Sequence, residues 1–308
     1  MARPSPGVDR TVSLLNFMAS RPGEPFSLSE LSRRLCLNKA TAHAMLNALV
    51  DSGYLIRHPA HKTYSLGPAL IAVGSAAARQ FAPVDYAADE MRQIADELGV
   101  QCVAGAVVAG EIVMLACAGQ VRPLGTSVSP GQRLPLTPPL GTVYMAWAAP
   151  DEIEAWLRKL GPDVTSSEME RFMEALAAVR SKGYATGLEA VAKLRLSRAL
   201  SEVPLNGASV DRQKLRGIVE GLVEELAHEE SVLADLAGAS SYQLSHISAP
   251  VFGPDGRVAL ALNLIDLPRN LNADQIQDFA SNLVGATKRV TKAIGGHAPA
   301  DIAESQVS

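Results

Sequence analysis

Apolar positions along the chain change their period, and each change marks an element. Val12, Leu15 and Met18 or Ala19 fall on one inward face, which predicts a helix over Val8–Ser20. Leu28, Leu31 and Leu35 lie at i, i+3 and i+7, one apolar face of a second, short helix. Cys36-Leu37-Asn38 interrupts that spacing, and asparagine is a strong helix N-cap, so a third helix is predicted from Lys39. Its inward face is Ala42, Met45, Leu46, Leu49 and Val50, and Gly53 ends it. Tyr54–Ile56 and Thr63–Leu66 then read as two short strands with Pro59 and basic residues at their tip. Two helices joined by a tight turn and followed by a wing form a DNA-reading unit, with the second helix of the pair entering the major groove.

Beyond the wing, Gly67–Gln80 is a helix of small residues suited to close packing, in a linker or at a dimer contact. Pro83–Leu98 is a longer helix with Val84, Ala87, Ala88, Met91, Ile94, Ala95 and Leu98 inward. Val100–Gly119 is almost uncharged, but Gly110-Glu111 breaks it near the middle, which fits a buried hairpin rather than a membrane span. A turn at Ala109-Gly110 would set Cys102 opposite Cys117, read as two small buried residues. Residues 123–136 hold one or two strands, and helices follow over Thr142–Ala148, Asp151–Leu160 and Ser166–Lys182. Tyr184–Leu188 is a strand, and Tyr242–Phe252 and Arg257–Ile265 bracket the turn Gly253-Pro254-Asp255-Gly256. Ala273–Ile294 is a terminal amphipathic helix, followed by a tail expected to be disordered. Strands with helices on one side give an α+β domain. Between Arg195 and Tyr242, Leu215, Ile218, Val219, Leu222, Val223 and Leu226 make a helical stripe after a start near Asp211. That insertion either covers a pocket mouth or extends an oligomer interface.

Charge separates the two ends. Residues 1–67 hold 8 basic and 4 acidic residues, against 20 and 28 in the remainder. His43, His58 and His61 also lie in the basic part. A local positive surface gains from counterion release on a duplex. The N-terminus has no apolar signal segment, so a cytoplasmic protein without a membrane partner is expected. Three cysteines without a CxxC pair and six scattered histidines predict no metal and no cofactor. No G-x-S-x-G, Walker A, G-x-G-x-x-G or H-E-x-x-H motif is present, which argues against an enzyme built on the second domain. The other alternative, a ligand-independent architectural DNA-binding protein, has no need of a large apolar second domain.

These residues resemble a known family. Residues 8–80 are similar to the N-terminal domain of the IclR family of bacterial transcriptional regulators. The segments GQRLPLTPPLGTVYMAWA (131–148), RSKGYATGLEA (180–190) and ISAPVFGPDGRVALALNLI (247–265) resemble its C-terminal domain in order and spacing. The resemblance implies an α+β chain with four parts. These are an N-terminal winged helix-turn-helix domain (1–67), a linker helix (68–82), a GAF-like α/β effector domain (83–295, helical insertion about 195–241) and a disordered tail (296–308). It also implies the partners: a double-stranded DNA operator, a small-molecule effector, and a second copy in a homodimer or dimer of dimers. The DNA contacts carried over are Lys39, Thr41, His43 and Asn47 on the recognition helix, Arg34 on the phosphates, and His58, His61 and Lys62 at the wing tip. The recognition helix departs from the family in having Ala44 where a long polar residue is usual. The pocket departs further. Its carried-over positions are Leu140, Gly141, Thr142, Leu188, His246, Asn263 and Ile265. Pro138 and Pro139 cannot donate backbone hydrogen bonds, and leucine and isoleucine replace groups that read small acids. The resemblance therefore implies an aromatic or largely apolar effector, with His246 or Asn263 holding one polar end.

Overall fold

The computed structural model describes residues 5–21, 23–120, 128–161, 165–188 and 241–299, and these divide into two units between Phe81 and Ala82. The first unit begins with helix α1 (Pro6–Ala19), strand β1 (Phe26–Ser27) and helix α2 (Leu28–Arg34). Helix α3 (Lys39–Asp51), strands β2 (Leu55–Arg57) and β3 (Thr63–Leu66), and helix α4 (Ala69–Gln80) complete it. Its core is small and tight: Leu14, Leu31, Leu35 and Leu46 have no exposed surface, and Phe17, Phe26, Leu55 and Tyr64 close around them. Two caps fix the helix pair. Ser27 Oγ accepts from the Glu30 N–H (3.2 Å), and Asn38 Oδ1 accepts from the Thr41 N–H (2.8 Å). Cys36 takes a left-handed φ of 51° in the turn between α2 and α3. The periodicity did not announce β1, a two-residue strand that pairs with β3 and makes the wing sheet three-stranded, in the order β1-β3-β2. Its length is below what an alternating pattern can reveal.

The second unit contains helix α5 (Ala82–Leu98), strands β4 (Gln101–Val108), β5 (Glu111–Ala118) and β6 (Arg133–Pro135), and helices α6 (Thr142–Met145), α7 (Pro150–Leu157) and α8 (Ser166–Lys182). Strands β7 (Ala185–Leu188), β8 (Leu244–Phe252) and β9 (Val258–Ile265) and helix α9 (Ala273–Ala293) follow. The six strands form one antiparallel sheet, β6-β5-β4-β9-β8-β7. Alternation decides what each face meets. Cys102, Ala104, Ile247, Ala249, Leu260, Leu262 and Leu264 pack against Met91 and Ile94 of α5 and Leu283, Ala286 and Val290 of α9. Ile112, Ala185 and Ala261 point the other way, toward Val143, Tyr144, Trp156, Phe172 and Leu176 of α6, α7 and α8. Helices thus cover both faces, correcting the expectation of one side. Sequence order could not distinguish the alternatives, because the residues facing α6 to α8 are partly alanine and glycine, which carry little apolar signal.

Four smaller expectations change. Val12, expected inward, is half exposed, because the buried face of α1 is Leu14, Phe17 and Met18. Ala88 is exposed, although it lies at the edge of the α5 apolar stripe. Cys102 faces Ala118, and Cys117 faces Val103, because a bulge shifts the β4–β5 register at Ala104/Gly105. The two thiols are free and sit one position out of register. The start of the expected disordered tail is ordered: the Gly296 N–H donates to Thr291 O (2.8 Å) and the His297 N–H to Gly253 O (3.4 Å). A side chain at Gly296 would lie 1.8 Å from Phe252 O, so only glycine lets the chain pass. The insertion, apart from its last residue 241, and residues 300–308 lie outside the described residues. Among the described residues, no helix is long and apolar enough to cross a membrane, and no group of three or more His, Cys, Asp or Glu is placed to hold a metal.

Candidate DNA-reading and effector sites

Helix α3 buries Ala42 and Leu46 completely, so the opposite side of the same helix must face outward. Lys39, Thr41 and His43 are exposed there and Asn47 is half-buried. Asn47 Nδ2 donates to His43 Nδ1 across one helical turn (3.3 Å), which couples two of the carried-over readers. Ala40 and Ala44, also exposed, leave low ground between the polar side chains. In the wing, His58, His61 and Lys62 are all exposed. The loop is built rather than loose. The His61 N–H donates to His58 Nδ1 (3.2 Å), the two rings lie 4.6 Å apart, and Lys62 adopts a left-handed φ of 53°. Arg34 is placed differently. It is half-buried, with its guanidinium 5.4 Å from the Phe17 ring centroid, while Arg21 covers the same ring at 4.3 Å. Part of the Arg34 side chain therefore serves the core through a cation–π contact.

The second site lies on the sheet face toward α6. Gln101, Ile265, His246 and Gly187 form one cross-strand row, and Val103, Asn263, Ser248 and Ala185 the next. Gly105 and Ala261 continue the pattern, with Tyr144 above them. Four of the expected pocket residues have neighbours that limit what they can offer. Both amide hydrogens of Asn263 are used, on Val103 O (3.0 Å) and Ala261 O (3.2 Å), and its Oδ1 accepts from Ser248 Oγ. The Ser245 hydroxyl donates to Gly187 O (3.1 Å), so at 2.9 Å His246 Nδ1 is the donor to Ser245 Oγ. The backbone of Leu188 pairs with Leu244 beyond a bulge at Gly187/Leu188, out of the row of His246 and Ile265. Leu140 is held by its carbonyl, which accepts from Trp156 Nε1 (3.1 Å), while Lys159 Nζ donates to Leu136 O (2.7 Å). This fastens the 136–140 segment to the α7 end. Gly141 then enters α6 at φ 91°, and a side chain there would meet Leu136 Cδ1 at 2.3 Å. Thr142 is buried directly after it, as are Pro138 and Pro139.

Two residues on this face were missed by sequence reasoning. Gln101 is buried with no partner for Oε1, and the buried Tyr144 hydroxyl has none either. Burial pushes the Tyr144 hydroxyl far above the ordinary phenol value. The Ala261 backbone opposes this as the lesser influence, from a position that does not meet hydrogen-bond geometry. A glutamine beginning a strand and a tyrosine within an apolar helix give no one-dimensional sign of such positions.

With both sites described, comparison with known proteins decides the family. The profile of the IclR helix-turn-helix domain matches residues 7–59, and that of the bacterial transcriptional regulator IclR C-terminal domain matches residues 80–192. The chain belongs to the IclR family of transcriptional regulators. The DNA-binding transcriptional repressor YiaJ of Escherichia coli K12 is 26% identical over 192 residues, 58% of this chain and 66% of YiaJ. The HTH-type transcriptional regulator XynR of the same organism is 27% identical over 193 residues, 59% of this chain and 74% of XynR. The matches thus span about two thirds of these relatives, which are transcriptional regulators rather than enzymes. The fold agrees with solved structures. An IclR transcriptional regulator from Alicyclobacillus acidocaldarius superposes with a TM-score of 0.67 at 20% identity, covering 96% of this chain and all of the other. An IclR homologue from Microbacterium hydrocarbonoxydans, solved with 4-hydroxybenzoate, gives 0.61 at 17% identity, covering 94% and 98%.

Proposed function

We propose that this IclR-family member binds operator DNA through the outward face of α3 and changes its operator affinity when a small molecule enters the second unit. The observation that carries the DNA reading is the division of α3: Ala42 and Leu46 have no exposure, while Lys39, Thr41 and His43 stand in solvent beside a capped N-terminus. In this reading Thr41, His43 and Asn47 meet base edges, Lys39 meets a phosphate, and His58, His61 and Lys62 meet the backbone from the wing. Selection from a random duplex pool tests it. The expected result is enrichment of one sequence with two related half-sites, and a pool that stays random contradicts it.

The effector in this reading is aromatic or largely hydrocarbon. Buried Pro138, Pro139 and Leu136 border the α6 entry, and neither proline can offer an N–H to a carboxylate. The related structure that contains 4-hydroxybenzoate supports an aromatic ligand by analogy. Calorimetry with glyoxylate, pyruvate, aromatic acids and their neutral analogues decides between the classes. Tight binding of the two-carbon acid with a silent aromatic panel would refute the apolar effector. The chain also acts as a homodimer, since half-site symmetry mirrors protein symmetry. Val8 and Val12 of α1 and Ile71 and Val73 of α4 remain at least half exposed and supply apolar surface for it. Light scattering of the full chain at micromolar concentration should give at least twice the monomer mass, and a monomer that still binds its operator tightly would overturn the assignment.

A further inference from the structure

Buried polar atoms in a folded protein almost always have partners, so an atom without one calls for an explanation. Among the described residues, Gln101 Oε1 and the Tyr144 hydroxyl are two such atoms, and they share one sheet face. Gln101 stands opposite Ile265, in the row of His246, and its side chain lies on the same side of β4 as Val103 and Gly105. The Tyr144 oxygen lies 3.1 Å from where a side-chain carbon on Gly105 would begin, so the missing side chain makes room for the hydroxyl against β4. Gln101 and Gly105 are four residues apart along β4, about 13 Å. The polar groups between them are taken: both Asn263 amide hydrogens go to strand carbonyls and the Ser248 hydroxyl goes to Asn263. Apolar atoms fill much of the rest, including Ile112 and Met114 beside Gly105.

We infer that Gln101 and Tyr144 are the two polar ends of the effector site, and that they select a mostly hydrocarbon ligand with a donor at one end and an uncharged acceptor oxygen at the other. This rests on the effector reading above and sharpens it. Gln101 Oε1 only accepts, so it takes the ligand's hydroxyl or amine hydrogen. The Tyr144 hydroxyl, kept neutral by burial, donates to a carbonyl or ether oxygen. A carboxylate at that end would be a buried charge facing one neutral donor, and the strand rows under it contain no Lys or Arg. Sequence signals for an aromatic ligand therefore narrow to esters, amides or ketones of hydroxylated aromatics ahead of the acids themselves.

The test uses the full chain, the variants Tyr144→Phe and Gln101→Met, and the probes methyl 4-hydroxybenzoate, 4-hydroxybenzamide and 4-hydroxybenzoate. Without ligand, each variant should melt above wild type by about 2–4 °C, because an unsatisfied buried polar atom has been removed. In calorimetry the ester or the amide should bind wild type more tightly than the acid does, and each variant should weaken that binding about tenfold. Variants that melt below wild type would mean that the hydroxyl and amide hold the fold together, through buried water for example, and would overturn the inference. Unchanged binding in the variants, or preference for the acid, would overturn it too while leaving an aromatic effector standing. If wild type takes up none of the three probes and no aromatic acid, the effector reading itself fails and this inference with it.

Discussion

On α3, Lys39, Thr41 and His43 project into solvent, with their helix held from below by Ala42 and Leu46. Across β4, β8 and β9, Asn263, Ser248, Ser245 and His246 instead bond to one another and to strand carbonyls. The two surfaces differ in which side chains the fold leaves uncommitted. A DNA-reading face needs side chains uncommitted to the fold, and helical periodicity separates these from the core. A ligand site is defined by which polar groups remain uncommitted after the sheet has formed, and that requires the three-dimensional register.

A substitution in the core of one unit should leave the other unit standing. Leu46 has no exposure in the first core, so Leu46→Ala should cost about 2–5 kcal/mol and abolish operator binding. In calorimetric melting the second unit's transition should stay in place, and loss of both transitions would contradict the division at Phe81/Ala82. The converse substitution is Gly141→Ala, which adds a side chain 2.3 Å from Leu136 Cδ1 at a left-handed φ of 91°. We expect a cost of about 1–3 kcal/mol confined to the second unit, with DNA affinity unchanged in the absence of ligand.

Smaller effects sharpen the picture. Asn38→Ala removes the acceptor for the Thr41 N–H and should lower stability of the first unit by about 1 kcal/mol, measured by urea denaturation. Full stability in that variant would show that the cap is idle. The smallest effect is alkaline. Burial, with a lesser contribution from Cys117, pushes the Cys102 thiol from 9.0 up to about 12. The unfolded chain therefore ionises first, so stability from this group is complete below pH 9 and falls as pH rises toward 12. At pH 9.5 the loss due to Cys102 should be below about 1 kcal/mol, and Cys102→Ala should flatten the alkaline fall by that amount. An alkaline profile identical in the two proteins would place Cys102 outside the folding unit.

Much of this fold is legible in one dimension. The α2–α3 pair, Asn38 as a cap, the Gly253–Gly256 turn and α8 all follow from spacing and turn chemistry. What spacing could not convey were events that cost or add a single residue. The bulge at Ala104/Gly105 moves Cys117 from Cys102 to Val103, and the bulge at Gly187/Leu188 takes Leu188 out of the His246 row. The α6 side of the sheet was hidden because Gly105, Ala185 and Ala261 are too small to mark a buried face. The candidate site residues divide in the same way: Lys39, Thr41 and His43, carried over from the family resemblance, stand exposed on α3, whereas Gln101 and Tyr144 stand out only through missing partners.

A salt-dependent titration of the selected operator decides whether the outward face of α3 reads DNA. Lys39→Glu and Thr41→Ala are compared with wild type on the operator and on a scrambled duplex. Lys39→Glu should weaken binding to both duplexes and lower the salt slope by about 1, since one released counterion is lost. Thr41→Ala should cost about 1–3 kcal/mol on the operator alone. If both variants bind both duplexes as wild type does, with the same slope, α3 is not the reading helix.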